Sequence, residues 1–471
     1  MANFLEQNTS PKLTTIVSTI ALLAFLPLLL FGVYQAVIIV SRATGTPANI
    51  IVDTTSVLEP ISTDFYHAFA QGGEESKDML APVAGDIRAL KPQLIRLDHL
   101  YDHYDVVGRS GNDLTFNFSK LDSAVDTILA TGAKPLLALS FMPSAIARGG
   151  KIIDPPNNWD EWALVVQRTI EHYSGKNGKN LSGIYYEVWN EPDLDQFGSW
   201  KLSGDKNYLT LYRYAAIGAS RAQNVNYFLL GGPATTGLYQ NWILALVTSG
   251  NRLDFLSWHS YLSDPKRFND DQRNLISWLL PYPNYTLIPK LITEFGFTGN
   301  KSTGYGSMYA AAHTAATIRQ LISGRPTYAF SFQPVDGPNQ GATGDGWGLI
   351  THEDNGKKKK PRYFVYNFLD SMAGNRLALF GEGTWVTGFS TVRDGTIRVM
   401  LTNFDSGGNH VETVPITWNN LEPGNYTYRE RFLLGRDVTF KETVTNFDRR
   451  IVRQVYMPAQ SVAILELTRQ Q

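Results

Sequence analysis

The sequence predicts an α/β protein in which a barrel of eight strand and helix units is followed by a small all-β domain and preceded by one apolar helix. Strand-like runs alternate with helical patterns from residue 61 to about residue 375, as in parallel sheets covered by helices. The rest of the chain contains short strand-like runs between glycine, asparagine and proline turns. Near the N-terminus, residues 14–40 are almost entirely apolar.

Residues 14–40 form the first predicted element. Only Gln35 and scattered Thr and Ser interrupt the apolar side chains, and the stretch is long enough to span the core of a bilayer. The sequence therefore predicts a tail at 1–13, a transmembrane anchor at 14–40 and a linker at 41–55. A cleaved signal peptide is the alternative, but its apolar region is usually about 7 to 15 residues long. We expect a single-pass membrane protein whose folded part lies outside the cytoplasm, in the periplasm or the extracellular space.

The barrel is predicted over residues 56–375. Between its strands, apolar residues recur at helical spacing, for example at Leu121, Val125 and Ile128. An open, doubly wound sheet is the alternative, but no Gly-x-Gly-x-x-Gly pattern follows the first strand, and this favours the closed barrel. The predicted strands are 61–69, 93–98, 134–140, 183–189, 226–231, 254–259, 288–294 and 327–333.

Residues 376–471 are predicted to form a C-terminal β-sandwich, because strands there are short and turns are frequent. We expect this domain to cover apolar surface of the barrel. Its predicted strands are 385–391, 396–403, 411–418, 425–432, 451–457 and 461–468.

Composition narrows the possible partners and chemistry. The 42 Lys and Arg residues nearly balance 43 Asp and Glu residues, and the net charge of -1 gives no electrostatic reason to expect a nucleic acid partner. The chain has no cysteine, which excludes disulfide bonds, thiolate zinc sites and a cysteine nucleophile.

Two predicted strands end in a glutamate. Residues 183–192 read GIYYEVWNEP, so a β-branched and aromatic run leads to Glu191, and Pro192 ends the strand. Residues 287–296 read LIPKLITEFG, so a second apolar run ends at Glu294. Enzymes with such barrels place their chemistry at the carboxyl ends of the strands. Two carboxyl groups there, one protonated and one ionised, are what the hydrolysis of a glycosidic bond requires.

Together these motifs resemble the clan A retaining glycoside hydrolases, in which Asn-Glu ends strand four and a Glu ends strand seven. Residues 254–261, DFLSWHSY, resemble the strand-six signature of glycoside hydrolase family 39, which includes β-xylosidases, α-iduronidases and exopolysaccharide hydrolases. Residues 137–143 and 95–98 fit strands three and two of that family. The resemblance covers roughly residues 55–375.

The resemblance implies roles for three residues. It makes Glu191 the general acid/base, Glu294 the nucleophile, and Asn190 a donor to the 2-hydroxyl of the sugar. Arg96, at the end of the second strand, is expected to hold Glu294 ionised through a charge-assisted hydrogen bond. A purely structural ion pair of the barrel is the alternative for Arg96.

Further candidates lie at other strand ends. His259 and Tyr261 are expected to orient Glu294 or to contact sugar hydroxyls. The remaining candidates are Asp98 and His99 for hydrogen bonding in a subsite, and Phe141, Trp347 and Tyr328 for stacking on a sugar or for core packing. His99 and His103 are four residues apart, but they lack the Glu of zinc-protease helices and follow a strand, so no metal is predicted.

We therefore predict a membrane-anchored retaining glycosidase that cleaves an oligo- or polysaccharide by double displacement and needs no cofactor. Anchoring favours an endo-acting hydrolase of an exopolysaccharide, and an exo-acting enzyme similar to β-xylosidases is the alternative. A non-catalytic polysaccharide-binding scaffold is the alternative from another class, since fold alone does not establish activity. The sequence does not predict the sugar, its anomer or an oligomeric state.

Overall fold

The computed structural model describes residues 45–340, 345–445 and 447–470, which form a closed barrel and a second sheet. The strands are β1 Ile50–Pro60, β2 Ala68–Gln71, β3 Leu94–Leu97, β4 Val107–Ser110, β5 Asp113–Phe116, β6 Lys134–Leu139, β7 Ile184–Val188, β8 Phe228–Thr235, β9 Phe255–Tyr261, β10 Lys290–Gly296, β11 Tyr328–Phe332, β12 Asn375–Phe380, β13 Val386–Arg393, β14 Thr396–Asn403, β15 Glu412–Asn419, β16 Gly424–Phe432, β17 Asp437–Val444, β18 Ile451–Met457 and β19 Ser461–Arg469. The α-helices are α1 Ala84–Arg88, α2 Ser119–Thr131, α3 Trp159–Tyr173, α4 Tyr208–Arg221, α5 Gln240–Val247, α6 Lys266–Leu279, α7 Pro283–Thr286, α8 Met308–Gly324 and α9 Pro361–Ser371.

The barrel closes in the order β10, β11, β2, β3, β6, β7, β8 and β9, with parallel pairing throughout. This confirms the predicted eight-stranded barrel, and each predicted strand overlaps an observed one. The first differs most, since the sequence places it at 61–69 and the structure at Ala68–Gln71. Asp64–Tyr66 forms a short 3-10 helix instead. The preceding Ser62 and Thr63 are residue types that favour turns over strands.

Successive side chains of a barrel strand point alternately to the core between strands and helices and to the inside of the barrel. In β3, Ile95 and Leu97 belong to the core between strands and helices, whereas Leu94 belongs to an apolar cluster inside the barrel. Arg96 has the same parity as Leu94 and therefore also points inward. The inside of the barrel thus changes along β3 from an apolar side chain to a charged one near the carboxyl end.

The second sheet has nine strands in the order β17, β16, β19, β14, β13, β12, β1, β15 and β18. It curls on itself, because the rings of Trp418 in β15 and Tyr428 in β16 lie 5.6 Å apart although five strands lie between these two in the sheet. Arg453 of one edge strand pairs with Glu442 of the other. One continuous sheet with its own core therefore takes the place of the predicted two-sheet sandwich.

β1 is an interior strand of this sheet, third from the β18 edge, which differs from the predicted domain boundaries. The sequence places a linker at 41–55, whereas the structure has a strand from Ile50, antiparallel to β12 and parallel to β15. Ile50 and Val52 are fully buried. Their pairing partners lie more than 300 residues away in the sequence, so no local pattern indicates this strand.

Helix α8 joins the barrel to the second sheet. Nε of Arg319 donates to Oε1 of Glu382 at 2.8 Å and to the carbonyl oxygen of Gly388 at 2.6 Å. Beside this ion pair, Phe404 packs edge-on against Tyr309 and His313, at centroid distances of 5.1 and 5.2 Å. These contacts agree with the expectation that the C-terminal domain covers barrel surface.

The prediction of a transmembrane helix as part of the fold class is corrected. The proposed anchor at 14–40 lies outside the described residues, and none of the helices in the described ranges is long and apolar enough to cross a bilayer. The longest of them, α8, has 17 residues and contains His313 and Arg319, whereas a bilayer core needs about 20 apolar residues. The single-pass membrane localisation that rested on this helix is therefore not supported, and neither is the placement of the catalytic domain outside the cytoplasm.

Candidate active site

A cavity of about 630 Å³ opens at the carboxyl ends of the barrel strands. Glu191 follows β7, while Glu294 and Tyr261 lie near the ends of β10 and β9, and all three line the cavity. Asn190 lines it as well. The two glutamates that end predicted strands thus meet in one site.

A bulge in β10 turns Glu294 toward the cavity. Ile292 pairs with Trp258 and Glu294 with His259, so one extra residue of β10 stands between two consecutive residues of β9. Ile292 belongs to the core outside the barrel, and regular alternation would send Glu294 in the same direction. The extra residue reverses this, and such bulges commonly re-aim side chains beside active sites.

Three side chains contact the Glu294 carboxylate. Nη1 of Arg96 donates to Oε1 of Glu294 at 2.9 Å, and the hydroxyl of Tyr261 donates to Oε2 at 2.6 Å. Nδ1 of His259 lies 3.5 Å from Oε2 of Glu294. Because hydrogen bonds and positive charges favour the ionised form of a carboxyl group, these contacts suit a nucleophile.

Burial opposes those contacts. It raises the pKa of the Glu294 carboxyl to about 7, although His259 and Arg96 pull it down. Burial also disfavours the charged form of His259, but the carboxylates of Glu294 and Glu191 outweigh it and raise the pKa of the imidazole. Burial and Glu294 raise the pKa of Tyr261 well above its usual value, which keeps its hydroxyl a donor.

Glu191 is held in a strained loop directly after β7. Its φ of 43° lies in the left-handed region, which costs a non-glycine residue about 1–2 kcal/mol. Its N–H donates to the carbonyl oxygen of Ala234 at 2.9 Å, and Nδ1 of His259 lies 2.9 Å from its Oε1. The strained backbone and these two contacts fix the carboxyl group at the edge of the cavity.

The two carboxyl groups are close to each other. One oxygen of Glu191, one oxygen of Glu294 and a ring nitrogen of His259 all lie within 4.8 Å of one another. Retaining glycosidases have carboxyl groups about 5–5.5 Å apart, whereas inverting ones need about 6.5–9.5 Å to admit a water molecule. The geometry therefore fits a retaining site.

Arg96 joins the site to the inside of the barrel. Its Nε donates to Oε2 of Glu187 at 2.7 Å, and its Nη2 donates to Oδ1 of Asn190 at 2.7 Å. With the Glu294 contact, the planar guanidinium thus holds three partners at once. Because Oδ1 of Asn190 accepts from Arg96, the amide nitrogen of Asn190 is left to donate elsewhere, as a contact with a sugar hydroxyl requires.

The other predicted residues separate into two groups. Asp98, His99 and Trp347 line the cavity. Phe141 does not; it is fully buried behind the wall, where its ring stacks on Phe197 at 5.1 Å. Tyr328, at the start of β11, packs against Tyr185 and Phe330, away from the cavity.

His99, Asp102 and His103 form a cluster beside the cavity. Nδ1 of His99 lies 2.7 Å from Oδ2 of Asp102, and Nε2 of His103 lies 3.8 Å from the same oxygen. The two imidazole rings stack with centroids 4.3 Å apart, so their in-plane lone pairs do not converge on one point. Of the three residues, His99 lines the cavity, and its contact with Asp102 holds its ring there.

Several residues of the site are not predicted from the sequence. Glu187 lies in the middle of β7 and reads as part of an aromatic strand, although its carboxylate holds Arg96. Glu74 lines the cavity from a loop, Phe197 from the end of a short 3-10 helix, and Phe332 from the end of β11. The parity of Glu187, opposite to that of Tyr186 and Val188, was the one available signal for an inward carboxylate.

Comparisons with known proteins agree with this geometry. The sequence model of the family described as Glycosyl hydrolases family 39 matches residues 80–272. A β-xylosidase of Caldicellulosiruptor saccharolyticus is 36% identical over 300 residues, which cover 56% of this chain and 59% of that protein. A β-xylosidase of Geobacillus stearothermophilus is 26% identical over 330 residues, covering 61% of this chain and 62% of that protein. The chain thus matches about three fifths of the length of these curated relatives.

Solved structures show the same fold. A monomeric β-xylosidase from Caulobacter crescentus CB15 superposes with a TM-score of 0.72 at 19% identity, covering 90% of this chain and 100% of that one. At this identity the likeness concerns the fold, and it extends over both the barrel and the second sheet.

Proposed function

We propose that this chain, whose residues 80–272 match the sequence model of glycosyl hydrolases family 39, hydrolyses O-glycosidic bonds with retention of configuration at the anomeric carbon. The observation that carries the proposal is the approach of Glu191 and Glu294 to within 4.8 Å at the strand ends. Their surroundings differ, since Arg96 and Tyr261 both donate to Glu294, whereas neither donates to Glu191. Two carboxyl groups with different partners at this separation are what double displacement needs.

In the first step, a carboxylate oxygen of Glu294 attacks the anomeric carbon and forms an ester with the sugar. The bond to the leaving oxygen breaks, and Glu191 gives its proton to that oxygen. In the second step, Glu191 takes a proton from a water molecule whose oxygen attacks the anomeric carbon, and Glu294 departs as a carboxylate. His259 contacts both carboxyl groups, so it is placed to keep them aligned through both steps.

For the substrate we propose the non-reducing end of a β-xyloside or a similar neutral glycoside. Support comes from the two curated relatives described above, both of which are β-xylosidases. A cavity of about 630 Å³ is also in the size range of sites that enclose a small ligand. An exo-acting enzyme is favoured over the endo-acting alternative on these two grounds.

The test uses the full chain with 4-nitrophenyl β-D-xylopyranoside and short β-xylo-oligosaccharides. The parent protein is expected to release 4-nitrophenol, and Glu191→Ala and Glu294→Ala are expected to lose at least 1000-fold in kcat for the oligosaccharides. Early NMR spectra should show β-xylose as the first product. With azide, Glu294→Ala should form α-xylosyl azide and Glu191→Ala the β-anomer.

The possible outcomes separate the rival functions. Early α-xylose would replace retention by inversion. Internal cleavage of oligosaccharides, without release of xylose, would replace the exo-acting proposal by an endo-acting one. Binding of glycosides without any turnover would overturn hydrolysis and favour a scaffold.

A further inference from the structure

Glu74 is a carboxylate in the wall of the active-site cavity that the mechanism above does not use. It lies in the loop after β2, two residues beyond Gly72. Its side chain is half-buried, and Asp98 lines the same cavity. Asp98 in turn lies beside the catalytic centre, with Oδ2 at 4.0 Å from Nη1 of Arg96.

A buried amide holds Glu74 in place. Nε2 of Gln333 donates to Oε1 of Glu74 at 2.8 Å. The orientation of this amide is fixed from its other side, since Oε1 of Gln333 accepts from the Gly72 N–H at 2.9 Å and from Nε2 of Gln71 at 3.0 Å. Gln333 is fully buried, so its amide cannot turn toward water instead.

The Glu74 carboxylate still has room for a donor. Oε2 of Glu74 is shielded from water and has no hydrogen-bond partner among the described residues, and Oδ1 of Asp98 is in the same state. A buried acceptor without a donor destabilises the folded protein, and such groups usually have a partner. Burial, moreover, raises the pKa of the Glu74 carboxyl to about 7, and the Asp98 charge adds to this effect.

The charges around the cavity limit what can supply that donor. Its lining contains four carboxyl groups, Glu74, Asp98, Glu191 and Glu294, and no Lys or Arg among the described residues. Arg96 lies beneath the wall, where Glu187, Asn190 and Glu294 take up its guanidinium. A sugar carboxylate placed beside Glu74 and Asp98 would therefore meet like charge, whereas a sugar hydroxyl there offers a donor and no charge.

We propose that Glu74 is a specificity-determining residue that accepts a hydrogen bond from a hydroxyl of the sugar next to the catalytic carboxyl groups, so that neutral glycosides are selected over uronides. This inference rests on the proposed function and names the substrate class of the same site. A site built to bind a hydroxyl discriminates strongly against an analogue that lacks it, because the buried group of the protein is then left unpaired.

The test combines a side-chain change with the removal of a substrate hydroxyl. The substrates are 4-nitrophenyl β-D-xylopyranoside and its 2-, 3- and 4-deoxy analogues, and the proteins are the full-length parent and Glu74→Gln. In this variant the new amide oxygen can still accept from Gln333, while a donor takes the place of Oε2. We expect the variant to lose roughly 10- to 100-fold in kcat/KM on the xyloside, as for hydrogen bonds to charged groups.

The combined changes identify the contact. For one of the three hydroxyls, removal of that hydroxyl should lower kcat/KM of the parent roughly 10- to 100-fold relative to the xyloside. In Glu74→Gln, removal of the same hydroxyl should lower kcat/KM little further. The proposal would be overturned if removal of each of the three hydroxyls lowered kcat/KM by the same factor in the parent and in Glu74→Gln. A merely structural role would lower turnover of every substrate by the same factor.

Glu75→Gln is the matched control, because its carboxylate faces Lys77 at 3.0 Å and His352 at 3.2 Å and does not line the cavity. It should leave the discrimination between substrates unchanged. In the parent, 4-nitrophenyl β-D-glucuronide should react at least 100-fold more slowly than the xyloside, and Glu74→Gln should narrow that ratio. Equal rates on the two substrates in the parent would overturn the selection against uronides.

Failure of the proposed hydrolysis can be distinguished from failure of the Glu74 contact. If the parent cleaves none of these substrates, hydrolysis of β-xylosides is overturned. The Glu74 contact is then judged by saturation-transfer NMR of the same glycosides with Glu191→Gln and with the double variant that also carries Glu74→Gln. Weaker binding in the double variant supports the contact, whereas equal binding, or none in either protein, overturns it.

Discussion

Nη1 of Arg96 donates a hydrogen bond to Oε1 of Glu294 across 2.9 Å, and both side chains are buried. The same guanidinium also holds Glu187 and Asn190, so one residue links the floor of the site to the proposed nucleophile and to the residue before the proposed acid/base. These contacts explain why the charged Arg96 lies inside the barrel near the carboxyl ends of the strands, whereas apolar side chains fill the barrel at the opposite end.

Arg96→Lys should show that activity requires the planar guanidinium with its several donors, and not only a positive charge at this position. A lysine carries one compact charge and cannot hold three partners in a plane. We expect a loss of roughly 100-fold in kcat, because Glu294 and Asn190 would no longer be held together, as for misplaced catalytic groups. Arg398→Lys, in an ion pair with Glu466 in the second sheet, is the matched control and should retain kcat. Unchanged kcat in Arg96→Lys would contradict this role.

The rate should fall below about pH 7. Glu294 must be ionised to attack, and burial raises its pKa to about 7 against the opposing charges of His259 and Arg96. As the pH falls through that value, the ionised fraction decreases, and kcat/KM should decrease about tenfold per pH unit. A pH profile of kcat/KM on the xyloside checks this. A profile that stays level down to pH 5 would show that Glu294 is ionised throughout.

Tyr261→Phe should move the acid limb of that profile to higher pH. The hydroxyl donates to Oε2 of Glu294 at 2.6 Å, and a donor to a carboxylate favours its ionised form. Its removal should raise the pKa of Glu294 further and lower kcat roughly tenfold at neutral pH. Tyr309→Phe, at the junction with the second sheet, is the control and should leave the limb in place. A shift to lower pH in Tyr261→Phe would contradict the assignment.

Glu187→Gln should move the acid limb the other way. The Glu187 carboxylate takes up part of the Arg96 charge at 2.7 Å and is itself a nearby negative charge. Without it, Arg96 should stabilise ionised Glu294 more strongly, so the pKa of Glu294 should decrease. The pH profile and thermal unfolding would be measured together, since a buried ion pair is disrupted. Limbs that shift in the same direction in Glu187→Gln and Tyr261→Phe would contradict this account.

The sequence predicted the barrel and its two strand-end glutamates because both have local signals. Strands and helices alternate in hydrophobic period, and Pro192 and Gly296 mark where two strands stop. These signals do not depend on which strands are neighbours, since consecutive β/α units pair in order. The prediction of β1 failed for the opposite reason: Ile50 and Val52 are buried in a strand whose partners, β12 and β15, come from the C-terminal part of the chain.

Site residues at the ends of strands could be predicted from the sequence. Residues whose orientation depends on a bulge or on a distant contact could not. Regular alternation does not place Ile292 and Glu294 on opposite sides of β10, and only the observed bulge does so. Glu74 depends on a loop whose position is set by Gln333, which is far away in the sequence. Phe141 was a candidate for the site and is instead part of the core. An aromatic residue after a strand is compatible with either role, so the sequence does not distinguish them.

Val52→Ala should destabilise the protein although the residue precedes the barrel. Val52 is fully buried in β1, where it pairs with Leu379 of β12 and Trp418 of β15. Loss of two buried methyl groups and the resulting cavity should cost about 2 kcal/mol in the free energy of unfolding, measured by denaturant titration. Val57→Ala is a matched control in the same strand, since Val57 is 55% exposed, and it should cost less than about 0.5 kcal/mol. If Val52 belonged to a linker, as the prediction of a linker at 41–55 has it, Val52→Ala would cost no more than Val57→Ala. A larger effect at Val52 would place β1 in the second-sheet core, so that any fragment of this protein meant to fold must begin before Ile50.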